Sequence, residues 1–134
     1  MNTSSKITKN PYILIVDDEK DILKLFSEYL TAYGFTTVCF DNPIKALEYL
    51  IGNFGNCSLV ITDYKMPQMS GIDFIKKVRE VDNDYIIKVI LISAYIINSI
   101  FIDQNNKLKI HKIIEKPISL KVLETEIKML IDES

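Results

Sequence analysis

Tyr12-Ile13-Leu14-Ile15-Val16 runs without interruption into Asp17-Asp18-Glu19. A short apolar run with no polar alternation is the pattern of a strand covered on both faces, as in a parallel sheet between helices. Further runs of the same kind occur at residues 36–40, 58–62, 89–92 and 110–114. The stretches between them switch to helical spacing. Ile22, Leu23, Leu25, Phe26, Tyr29 and Leu30 repeat at three and four, and Asn42-Pro43 gives a cap and first-turn proline ahead of Ala46, Leu47 and Leu50. Ile72, Ile75 and Val78 mark a third helix, and Leu120, Leu123, Ile127 and Leu130 a last one after a Ser119 cap. Residues 95–103 read as a further helix between the fourth and fifth runs. Strands alternating with helices predict an α/β domain: a doubly wound, five-stranded parallel sheet with helices on both faces. In such folds ligands meet the protein outside the carboxyl ends of the strands, so the residues after each apolar run carry the functional information.

Composition narrows the classes. A chain of 134 residues, 48% apolar and 25% charged, suits one compact domain, expected over residues 11–131 between a polar lead (1–10) and a short tail (132–134). Sixteen basic against eighteen acidic residues give a net charge of −2, which argues against direct nucleic-acid binding. No apolar run approaches the roughly 18 residues of a membrane span, and the lead lacks the apolar core of a secretion signal, so a cytoplasmic protein is expected, without membrane insertion. Cys39 and Cys57 have no metal-ligand spacing and read as small buried or half-buried side chains in a reducing compartment.

At the strand ends stand Asp17-Asp18-Glu19 after the first run, Asp63 after the third, Ser93 after the fourth and Lys116-Pro117 after the fifth. One such aspartate alone commonly caps the next helix. Together they project several carboxylates, a hydroxyl and an ammonium at one edge of the sheet. Clustered carboxylates raise one another's pKa unless a cation neutralises them. An oxygen-seeking Mg²⁺, held by one or two carboxylates plus water and phosphate, is the natural cation.

The set resembles the receiver domain of two-component response regulators. The resemblance rests on the acidic pair Asp17-Asp18, on Asp63-Tyr64-Lys65-Met66-Pro67-Gln68-Met69-Ser70-Gly71, on Ser93-Ala94 and on Lys116-Pro117. The second of these fits the family's D-x-x-M-P-x-M-x-G signature. The separations also match: 45 residues from Asp18 to Asp63, 30 to Ser93 and 23 more to Lys116. The resemblance implies the flavodoxin-like strand order 2-1-3-4-5 and a phosphoacceptor switch rather than a turnover enzyme. It implies that Asp63 accepts a phosphoryl group from a sensor histidine kinase or a histidine phosphotransfer protein. Mg²⁺ would be held by Asp18, Asp63 and the backbone carbonyl of Lys65, with Asp17 binding directly or through water. Lys116 and Ser93 would bind phosphoryl oxygens, and Lys116-Pro117 would be a cis bond. The donor would dock on the first helix, where Asp21, Ile22 and Leu25 are the candidate contacts. Gly71 is expected to open the third helix at a sharp turn, Met66 and Met69 to pack, and His111 to take no part in the chemistry.

The chain departs from the family in places. Receivers usually carry an aromatic residue or histidine three positions before the motif lysine; here that position is Ile113. The loop at residues 105–109 lacks the Gly-Ala pair often found there. Residues 96–102, with Ile96 and Ile100, are unusually apolar, which suggests a homodimer or partner surface together with the fifth strand and last helix. Rival readings are a haloacid-dehalogenase-type phosphatase, a pseudo-receiver that only binds protein, and the receiver of a longer DNA-binding or enzymatic regulator. The first needs a second aspartate where Lys65 stands, and the second would be expected to lose Asp63, Lys116 or the acidic pair. With no output domain visible, the chain reads as a stand-alone receiver.

Overall fold

The computed structural model describes residues 11–94 and 107–132. Its strands are β1 (Tyr12–Val16), β2 (Thr37–Phe40), β3 (Cys57–Asp63), β4 (Lys88–Ser93) and β5 (Lys112–Glu115). They form one parallel sheet in the order β2-β1-β3-β4-β5, as expected. The described helices are α1 (Lys20–Ala32), α2 (Pro43–Asn53), α3 (Gly71–Val81) and α4 (Leu120–Asp132).

Successive side chains of a strand point to opposite faces, and here both faces are covered. Ile13, Ile15, Leu59 and Ile61 pack against Leu23 and Phe26 of α1 and Leu123 and Ile127 of α4. Leu14, Val16 and Val60 face Leu47 and Leu50 of α2 and Phe74 and Val78 of α3. This is why the apolar runs show no alternation. The predicted caps form: Asn42 accepts from the Ile44 N–H at 2.8 Å and Ser119 from Val122 at 3.2 Å. Ser70, not singled out as a cap in the sequence, also caps α3 by accepting from the Asp73 N–H at 3.1 Å. Cys39 is half-buried and Cys57 buried, both as free thiols. Among the described residues no helix is long and apolar enough to cross a membrane.

One expectation is corrected. The fifth strand begins at Lys112, not at residue 110. His111 donates its backbone N–H to Val89, but the Val89 N–H is taken by the His111 ring Nδ1 at 3.1 Å, so a side chain replaces a carbonyl there. Gly71 opens α3 as expected, yet its φ is not positive. Space rather than a left-handed turn demands glycine. The proposed surface at residues 96–102, with Ile96 and Ile100, lies outside the described residues, as does the helix read at 95–103.

Candidate functional site

Strand register brings the polar strand ends together. Val16 pairs with Thr62, Asp63 with Ile92 and Ser93 with Glu115, so the first residues past β1 and β5 and the last residues of β3 and β4 share one edge. A cleft of about 700 Å³ opens there, lined by Asp18, Asp63, Lys65, Ser93 and Lys116 among others. Carboxylate oxygens of Asp17, Asp18 and Asp63 lie within 4.8 Å of one another. Asp17 and Asp63 are buried, whereas Asp18 is exposed.

The phosphoacceptor candidate is held on one oxygen. Asp63 Oδ1 accepts from the Tyr64 N–H at 2.9 Å and lies 3.2 Å from Lys116 Nζ. The same Tyr64 N–H reaches the Ile92 carbonyl at 2.8 Å, and the Lys116 N–H donates to the Ser93 carbonyl at 2.8 Å. The Lys116-Pro117 peptide is cis, as the resemblance implied. Asp17 Oδ1 accepts from the Glu19 N–H at 2.9 Å, and the Glu19 carboxylate stands 3.8 Å from Lys116 Nζ. Glu19 is thus a second carboxylate partner of the site lysine. The sequence carries no sign of this role, because nothing in it shows that Lys116 lies beside Glu19.

Negative charge exceeds what one lysine can balance. Burial, and then Asp63 and Asp18, push the Asp17 carboxyl up to about 6, although the Glu19 N–H and Lys116 pull the other way. Burial also raises Asp63 despite the lowering effects of Lys116 and the Tyr64 N–H. Burial would lower Lys116, but Asp63 and Asp17 more than reverse it and hold the ammonium charged. An all-oxygen donor set carrying uncompensated negative charge fits a hard divalent cation such as Mg²⁺.

The remaining predicted residues fall as follows. Lys65 is exposed in the β3–α3 loop, and Ser93 is buried at the end of β4. Asp21 and Leu25 are exposed on α1, while Ile22 is half-buried against the α1–α4 core. Ile113 is half-buried and packs, as does Tyr64, on an apolar cluster that includes Ile75, Val89 and Leu91. His111 lies just before β5, and its ring is occupied by Val89.

This fold with this acidic edge defines a receiver. The chain belongs to the response regulator receiver domain family, whose model matches residues 13–128. It is 37% identical over 84 residues to the two-component response regulator ORR5 of Oryza sativa subsp. japonica, a match spanning 63% of this chain and 62% of the relative. The match therefore spans just under two thirds of that relative's length. Another relative is the response regulator receiver protein CpdR of Brucella abortus (strain 2308), 32% identical over 120 residues, covering 89% of this chain and 96% of the relative. Among solved structures, a CheY-like receiver domain protein from Methanospirillum hungatei JF-1 superposes with a TM-score of 0.82 at 25% identity, covering 93% of this chain and 96% of that one. Receiver domains of this family are phosphoacceptor switches that work with histidine kinases or phosphotransfer proteins and generally bind Mg²⁺ at an acidic pocket.

Proposed function

We propose that Asp63 accepts a phosphoryl group from the phosphohistidine of a kinase or phosphotransfer partner, and that the domain signals through the resulting change of state in the cytoplasm. The observation that carries this reading is the buried Asp63 paired with Lys116 at 3.2 Å inside an open acidic cleft. In the reaction a carboxylate oxygen of Asp63 attacks phosphorus. The O–P bond forms as the N–P bond breaks, and the electron pair leaves on the imidazole nitrogen. Lys116, already charged and in place, turns from the carboxylate to a phosphoryl oxygen, and Ser93 binds another. Asp18, Asp63 and the Lys65 carbonyl would hold Mg²⁺, with Asp17 directly or through water. When bound, the ion supplies the positive charge that lets a phosphoryl group approach this acidic edge. The partner meets the start of α1 at Asp21, Ile22 and Leu25. The output surface is formed by β5 and α4 and is offered to a second copy or to a target protein.

Labelling with a small phosphodonor tests the chemistry. The wild type should take one acid-stable, base-labile phosphoryl group in Mg²⁺ and none in chelator, and Asp63→Asn should take none while remaining folded. Continuous turnover would indicate a phosphatase, and an unlabelled wild type would indicate a pure binding module. Equal labelling of Asp63→Asn would move the site elsewhere.

A further inference from the structure

We propose that Gly71 is a positioning residue for the acidic site: by having no side chain it lets α3 seat against the end of β3, and that contact sets Asp63 and the Lys65 carbonyl. This rests on the reading of Asp63 and its neighbours as the phosphoacceptor and metal site. A Cβ at Gly71 would overlap the Asp63 carbonyl oxygen, and it would stand 2.9 Å from Tyr64 Cα and 3.0 Å from the Asp63 carbonyl carbon. All three neighbours are backbone, so no flexible side chain can step aside, and β3 or α3 itself must move. At Gly34, Gly52 and Gly55 the same added carbon would meet nothing within 4 Å. The demand is specific to Gly71.

The contact leads directly into the site. The Gly71 N–H donates to the Tyr64 carbonyl at 2.6 Å, and the Tyr64 N–H donates to both Asp63 Oδ1 and the Ile92 carbonyl. The residue beside the phosphoacceptor is therefore tied to α3 on one side and to β4 on the other. Beyond it, Met66 is buried in the core under α2 and α3, with its sulfur 4.0 Å from the Thr62 hydroxyl. Lys65 sits between these two fixed residues, Tyr64 and Met66. Its side chain is exposed, and its backbone is set from both ends. Crowding at Gly71 would shift the very peptide units that the metal reading needs.

Calorimetric titration of Mg²⁺ into the full chain tests this. Gly71→Ala should weaken Mg²⁺ binding at least tenfold. Ser70→Ala, which removes the α3 cap without crowding β3, should lower the melting temperature but leave Mg²⁺ affinity within twofold of wild type. That split separates positioning from general loss of stability. If Gly71→Ala fails to fold, Met66→Ala loosens the other fixed end of the loop and should weaken Mg²⁺ binding at least threefold. Unchanged Mg²⁺ affinity in a folded Gly71→Ala, or in Met66→Ala where that stands in for it, overturns the proposal. A wild type that binds no Mg²⁺ removes the underlying metal reading instead, and is recognised before any variant is compared.

Discussion

The two ends of the sheet both bury charge, and they do so in opposite ways. At the carboxyl end, the carboxylates of Asp17, Asp18 and Asp63 crowd within 4.8 Å, and Lys116 also has Glu19 as a neighbour. At the amino end, Arg79 and Asp82 form a buried pair at 3.0 Å, with both side chains only 2% exposed. Arg79 also donates to the carbonyls of Ile87 and Leu108 at 2.8 Å and of Lys109 at 2.9 Å. Asp82 accepts from the Ile86 and Ile87 N–H groups at 3.1 and 2.7 Å. One end is balanced one cation to one anion and closed with hydrogen bonds; the other holds excess negative charge and is open. The balanced cluster ties α3 to the start of β4 and to the approach to β5. The unbalanced cluster keeps negative charge that a bound cation would offset.

The largest effect should come from breaking the balanced end. Removing one member of a buried pair leaves an uncompensated buried charge, which costs about 3–5 kcal/mol. Arg79→Ala should therefore lower the unfolding free energy by that much, read as a lower urea midpoint at unchanged slope. Asp17→Asn at the other end should do the reverse in chelator. It removes a carboxylate held ionised against burial and its neighbours, and should gain on the order of 1 kcal/mol. A loss in Asp17→Asn, or a cost below about 1 kcal/mol in Arg79→Ala, would erase the contrast.

A smaller effect sharpens it, because the two ends should respond to pH with opposite sign over one window. Burial, and then Lys88, Arg79 and Lys109, hold His111 down at about 4 rather than 6.5. Between these values the unfolded chain binds a proton that the fold refuses, so this end loses stability as pH falls from 6.5 to 4. The Asp17 carboxyl is raised from 3.8 to about 6, so the fold binds that proton more readily, and its contribution is lost as pH rises between those values. Each contribution is on the order of 1 kcal/mol. Urea midpoints in chelator should fall more steeply with rising pH in His111→Asn than in wild type, and more steeply with falling pH in Asp17→Asn. Parallel curves for all three proteins would show that neither group controls this window.

The same division governs what could be read from the sequence. The carboxyl end was legible because each residue lies within two positions of the end of an apolar run, and parallel register then brings Asp17, Asp63, Ser93 and Lys116 to one edge. The amino end was not legible. Arg79 looks like the polar last turn of α3, and its partners Leu108 and Lys109 are backbone carbonyls 29 and 30 residues away. The start of β5 was misplaced for the same reason, since the contact between the His111 ring and the Val89 N–H spans 22 residues. Gly71 was visible within its motif, but its reason, the backbone of Asp63 and Tyr64, lies in a strand end that only folding brings against it.

The smallest effect concerns strain at the balanced end. Tyr85 and Lys109 both take φ 56°, a left-handed conformation unusual for residues with a Cβ, and both meet Arg79. The Tyr85 ring lies 4.7 Å from the guanidinium carbon, and the Lys109 carbonyl accepts from the Arg79 side chain. Left-handed backbone costs roughly 1–2 kcal/mol for a residue with a Cβ, whereas glycine adds unfolded-state entropy worth about 0.4–1 kcal/mol. Lys109 has an exposed side chain, so Lys109→Gly loses little else and should gain about 0.5 kcal/mol. Tyr85→Gly relieves the same strain but removes the ring from a buried guanidinium, an interaction worth up to about 2 kcal/mol. It should lose about 1 kcal/mol on balance. Urea midpoints of the two variants should therefore move in opposite directions although the backbone angle is the same. If both rise, the guanidinium gains nothing from the ring, and the cluster is held by Asp82 and the carbonyls alone.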